Sequence, residues 1–76
     1  MQVICFPERL RRLRERKGIS RRVLSELCGL PTDAVWRYER GESYPTLPSL
    51  LALAEYFGVS LDELTGHGGD ENARRP

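Results

Sequence analysis

A chain of 76 residues, 39% apolar and 30% charged, fits one small domain near the lower size limit at which an apolar core alone sustains folding. It has no run near the roughly 18 apolar residues of a membrane-spanning helix. Two cysteines, Cys5 and Cys28, and one histidine, His67, are too few for a disulfide framework, a zinc site or a histidine-based catalytic constellation. The net charge of +1 conceals an asymmetry: residues 1–22 carry a local +6, residues 23–41 carry −1, residues 42–66 carry −4, and the last ten balance. A local excess of that size points to a polyanionic partner, against the plainer reading of a solvated helix face. The apolar stretch in MQVICFPERL is too short for a secretory signal and its positive charges follow that stretch, so the expected location is the cytoplasm.

Glycines and prolines divide the chain into five predicted helices. The first spans about 7–17, with Pro7 suited to a first turn and Gly18 to a left-handed cap. At about 100° per residue, Phe6, Leu10, Leu13 and Lys17 share an inward arc with Arg14 at its edge. The second helix, 21–28, is capped by Ser20 and stopped at Gly29; Val23, Leu24 and Leu27 point inward, with Cys28 beside them as a small buried apolar group. In the third, 32–40, Pro31 and Thr32 compete for the cap position and Gly41 marks the end. Val35 and Tyr38 define its inward face, flanked by Ala34 and Glu39. The fourth, 47–57, runs from Thr46 to Gly58 and buries Leu47, Leu50, Leu53, Ala54 and Phe57, followed by Val59, Leu61 and Leu64. The fifth, 61–65, opens on the capping-box pair Ser60 and Glu63 and closes at Gly66. No alternating strand pattern survives, so the fold is all-α, a compact five-helix bundle within residues 1–66. The tail HGGDENARRP, 67–76, lacks apolar residues and is expected to be disordered, with His67 incidental.

The second and third helices are joined by the short turn Gly29-Leu30-Pro31, which forces them to cross steeply. Such a crossing projects the outer face of the third helix away from the domain, where a major groove admits a helix. That outer arc carries Asp33, Trp36, Arg37 and Arg40, with Thr32 at its start. Arginine supplies the bidentate fork that reads guanine, and threonine or an aromatic ring contacts a thymine methyl. A tryptophan among surface arginines is not what solubility alone selects.

From about residue 8 to residue 65 the sequence resembles the phage Cro and repressor type of helix-turn-helix domain. The markers are Leu10, Arg14, Gly18, Ile19, Ser20, Leu24, Gly29, Leu30, Val35, Glu39, Arg40, Gly41, Pro45, Leu53, Ala54, Phe57, Gly58, Val59 and Leu64. The ordered combination E-R-G-x-x-x-P followed by L-A-x-x-F-G-V is the specific part. The resemblance implies a lambda-repressor-like fold, double-stranded DNA as partner and a homodimer on a two-fold operator. Three departures stand out: Arg21 where the family usually has glutamine, Ser25 where it has alanine, and Thr32, Asp33 and Arg37 in place of the glutamines of some phage repressors.

On this reading Arg37 reads a base, and Arg21 and Arg40 meet phosphates, Arg21 beside the Ser20 cap. The resemblance adds Ser43 and Tyr44, in the loop after the third helix, as backbone contacts, and pairs Arg14 with Glu39 as a structural ion pair. Asp33 either pairs with Arg37 and the helix start or accepts from a cytosine amino group. Leu51 and Tyr56 extend the fourth helix's apolar surface to both flanks of its stripe, which invites a two-fold partner. No phosphate-binding glycine loop, nucleophile–base pairing or metal spacing occurs, so neither enzyme activity nor a cofactor, metal, membrane or small-molecule substrate is expected. The leading function is a sequence-specific transcriptional regulator of repressor type. The alternative is a protein-interaction module on the same fold, an antitoxin or regulatory subunit, which Asp33, Glu42 and the modest net charge favour.

Overall fold

In the computed structural model, which describes residues 5–66, local signals set the helix ends. The elements are α1 (Phe6–Lys17), α2 (Arg21–Leu27), α3 (Ala34–Arg40), α4 (Leu47–Phe57) and α5 (Leu61–Thr65), with no strand among the described residues. Ser20 Oγ accepts from the Val23 N–H at 3.1 Å and so caps α2. At α5 the Glu63 N–H donates to Ser60 Oγ at 3.0 Å and the Ser60 N–H donates back to Glu63 Oε1 at 2.9 Å, a complete capping box. Thr46 stands at the cap position of α4 without a side-chain cap bond; its hydroxyl donates to Ser49 Oγ instead. The predicted tail, with His67, lies outside the described residues.

α1 packs on α3 and α5, α2 on α3, and α4 on α5. Their shared core is Phe6, Leu10, Leu13, Leu24, Ala34, Val35, Tyr38, Leu53, Ala54 and Leu64. Cys28 lies half-buried against it, its thiol donating weakly to the Ala52 carbonyl at 3.9 Å, and burial pushes that thiol's pKa up.

Four inward assignments are corrected. Lys17 is exposed, its ammonium 5.3 Å above the Tyr56 ring, so its charge stays in solvent while the aromatic face beneath it is covered. Val23 and Leu27 are 40% and 58% exposed, and Ser25 is buried beside Leu24 in their stead. The reason is geometric: α2 has only seven residues and meets the core along a narrow strip at its crossing with α3. Leu47, the first residue of α4, is 60% exposed, because burial in that helix centres on Leu53 and Ala54. No described helix is long and apolar enough to cross a membrane, and no described group of three or more His, Cys, Asp or Glu is placed to hold a metal ion.

Candidate nucleic-acid interface

The connection from α2 to α3 is longer than its glycine and proline suggest, because α3 begins at Ala34 and not at residue 32. Gly29 adopts the left-handed conformation, φ +71°, and the Leu30 N–H returns to the Ser25 carbonyl at 2.8 Å, closing the end of α2. The Pro31 carbonyl then accepts from Ala34 only three residues on, at 2.9 Å, so Thr32 and Asp33 form a tight turn ahead of the helix. Neither Pro31 nor Thr32 takes the cap position. Asp33 does, and its carboxylate makes no cap bond. The first turn of α3 is served from the neighbouring helix: fully buried Ser25 accepts from the Val35 N–H at 3.1 Å. A hydroxyl at this place therefore does what a self-capped helix does with its own residue.

This cross-helix cap holds α3 with Ala34, Val35 and Tyr38 buried and the opposite face open. Trp36 is 42% exposed and the Arg40 guanidinium carbon lies 4.7 Å over its ring. Arg40 Nε also donates to Glu42 Oε2 at 2.8 Å. One turn earlier Arg37 Nη1 stands 3.7 Å from Asp33 Oδ2, and Asp33, Arg37 and Ser43 share an open hollow with Pro31, Ala34 and Tyr38. Thr32 is exposed at its start. Tyr44 is also exposed, but its ring packs at a tilt on that of Phe6, centroids 5.0 Å apart. The arrangement thus gathers Thr32, Asp33, Trp36, Arg37, Arg40 and Ser43 around α3; Ser20 and Arg21 lie at the start of α2.

Beneath this face sits a buried charge cluster. Arg14 Nε donates to Glu39 Oε2 at 2.6 Å and Arg14 Nη2 to Glu39 Oε1 at 3.1 Å, a bidentate pair whose side chains are 10% and 4% exposed. Arg14 Nη1 donates to the Ile19 carbonyl at 2.9 Å, immediately before the cap of α2. Arg21 Nη1 approaches the same Glu39 Oε1 to 3.5 Å from a half-exposed side chain. One carboxylate therefore joins α1, α2 and α3. Sequence spacing gives no sign of the Arg21 contact, and the Ser25 cap is signalled only by a hydroxyl where the resembled family has a methyl.

The helix-turn-helix domain family model matches residues 6–65 of this chain. The chain belongs to that family. This helix-turn-helix domain is 34% identical over 59 residues to the transcriptional activator BcrR of Enterococcus faecalis, covering 78% of this chain and 29% of BcrR. It is 38% identical, with a TM-score of 0.73, to the restriction-modification controller protein C.AhdI from Aeromonas hydrophila, covering 80% of this chain and 92% of that one. The P22 c2 repressor, in complex with a synthetic operator, superposes with a TM-score of 0.76 at 30% identity, covering 88% and 98% of the two chains. The fold of the described residues, five helices, is that of the lambda-repressor-like domains. This helix-turn-helix domain spans 17% to 51% of the length of the curated relatives it matches.

Proposed function

We propose that this helix-turn-helix domain is a sequence-specific DNA-binding transcriptional regulator, acting as a repressor, with α3 as the helix that enters the major groove. The observation that carries the reading is the open face of α3, where Trp36, Arg37 and Arg40 stand exposed on a helix fixed across α2. Arg37 is the base-reading side chain. Asp33 beside it offsets its own repulsion from phosphates by pairing with Arg37. Arg21 and Arg40 hold the phosphate backbone, with Ser43 and Tyr44 in the loop beyond.

Replacing Arg37 with alanine is expected to relax preference at one base position and to cost roughly 1–3 kcal/mol of binding. Arg21→Ala should instead weaken all sequences alike and lower the magnitude of the salt slope by about one. Selection from a random duplex library, followed by titrations at several salt concentrations, separates the two effects. Binding indifferent to salt would overturn the reading.

We also propose a homodimer through α4. Its Tyr56 flank is covered by Lys17 and by an edge-on contact with Phe57, ring centroids 5.2 Å apart. The opposite flank, Leu47 and Leu51, is 60% and 49% exposed and is the surface left for a two-fold partner. Sedimentation at micromolar concentration should show a dimer that Leu51→Glu converts to monomer. A wild-type monomer, with or without palindromic DNA, speaks against it.

The protein-interaction module is the second reading, and one observation favours it: most surface arginines are already met by carboxylates. Arg40 has Glu42, Arg37 has Asp33, Arg22 has Glu26, and Glu8 serves both Arg11 and Arg12. The Arg11 hydrogen bond, with Arg12 beside it, holds the Glu8 carboxyl below its ordinary pKa. A mobility shift on random duplex DNA at low and moderate salt decides between the readings.

A further inference from the structure

We propose that Glu39 is a positioning residue for Arg21, holding its guanidinium in place for a phosphate before DNA arrives. The inference rests on the reading of Arg21 as a phosphate contact.

The carboxylate is fixed first. Its side chain is 4% exposed, and Arg14 grips both oxygens while anchoring its own remaining nitrogen on the Ile19 carbonyl. A carboxylate has about four lone-pair sites, so one hydrogen bond on each oxygen leaves room for another partner. Arg21 Nη1 stands 3.5 Å from Oε1, an ion-pair contact on the same carboxylate. Two guanidiniums against one carboxylate leave one positive charge uncompensated. It resides on the more exposed member, Arg21, whose side chain is 46% exposed.

The other surface arginines with ion-pair partners differ in kind. Arg11 and Arg12 lean on Glu8, and Arg22, Arg37 and Arg40 on Glu26, Asp33 and Glu42, carboxylates whose side chains are themselves 35–61% exposed. Among the described residues, only Arg14 and Arg21 pair with a carboxylate that the core immobilises. A long arginine side chain loses rotamer freedom when it binds phosphate, and one already held loses less. The glutamine usual in the resembled family is shorter and uncharged; arginine here adds reach and charge, and Glu39 restrains it.

Charge and positioning predict opposite signs for one substitution. Glu39→Gln removes a negative charge close to the proposed DNA face, so Coulomb attraction alone makes binding to duplex DNA tighter. Positioning makes it weaker, by about two- to tenfold, the entropy of one immobilised side chain. The test is fluorescence anisotropy with a random-sequence duplex for the unaltered protein, Arg21→Ala, Glu39→Gln and the double variant, at a low temperature where circular dichroism shows each folded. Weaker binding by Glu39→Gln, with no further loss when it is added to Arg21→Ala, supports the proposal. Tighter binding, or the same loss in both backgrounds, overturns it. Where Glu39→Gln does not fold, ¹⁵N relaxation of the arginine Nε–H groups in the unaltered free protein decides. Arg21 ordered well above Arg22 supports the tether, and equal disorder overturns it. Full-strength binding by Arg21→Ala removes the phosphate role and this inference with it, whereas no binding by the unaltered protein removes the DNA reading as a whole.

Discussion

Glu39→Gln is expected to destabilise the fold by about 3–5 kcal/mol, the usual cost of leaving one member of a buried ion pair without its partner. The shape is conserved and the charge is not, so Arg14 remains cationic at 8% exposure with the Ile19 carbonyl as its anchor. For a domain of this size each 1 kcal/mol moves the midpoint by about 4–8 °C, which puts the expected drop at no less than about 12 °C. Thermal unfolding followed by circular dichroism measures it. The double change Arg14→Met with Glu39→Leu should cost less than either single change, because no charge is orphaned. The half-exposed pair of Asp33 and Arg37 gives the contrast: Asp33→Asn should change stability by less than about 1 kcal/mol. A midpoint unmoved by Glu39→Gln would mean that the pair carries no stability.

Leu24→Ala is expected to cost about 2–5 kcal/mol, and Leu27→Ala less than about 1 kcal/mol, although the residues are neighbours on one short helix. Leu24 is fully buried where α2 crosses α3, and truncation leaves a cavity that the short helix cannot readily close. Leu27 is 58% exposed and already in contact with water. Chemical denaturation of the two variants checks the ordering. Comparable losses would place Leu27 in an interface with another chain, a result that concentration dependence would expose.

The two leucines also show where the sequence was legible. Helix count, helix type and most ends follow from short-range chemistry: Ser20, Ser60 with Glu63, and the glycines after all five helices act within a few residues. The stripes of α1 and α4 are long enough for periodicity to average over, and half of the core lies on them. α2 defeats the same reasoning because seven residues form barely two turns, and whether Leu24 or Leu27 faces inward depends on the crossing partner. The start of α3 is misplaced by two residues for a related cause, since the Pro31 carbonyl closes a four-residue turn onto the Ala34 N–H and the cap comes from another helix. On the candidate face, the outward arc of α3 is readable from the wheel. The neighbours of each arginine are not: Glu42 meets Arg40 across a turn, and Arg21 meets Glu39 across two elements.

The bond from Ser25 to Val35 bears on how separable α3 is from its host. Protein engineers often treat a recognition helix as a cassette to be moved between scaffolds. Residues 34–40 would not travel well alone, because the group that satisfies the first turn belongs to the preceding helix. A recipient with alanine at that place would leave a buried amide without an acceptor, at a cost of about 1–3 kcal/mol. The transferable unit is the pair α2 and α3 with its turn, and any transplant of residues 34–40 has to carry one serine from outside the moved segment.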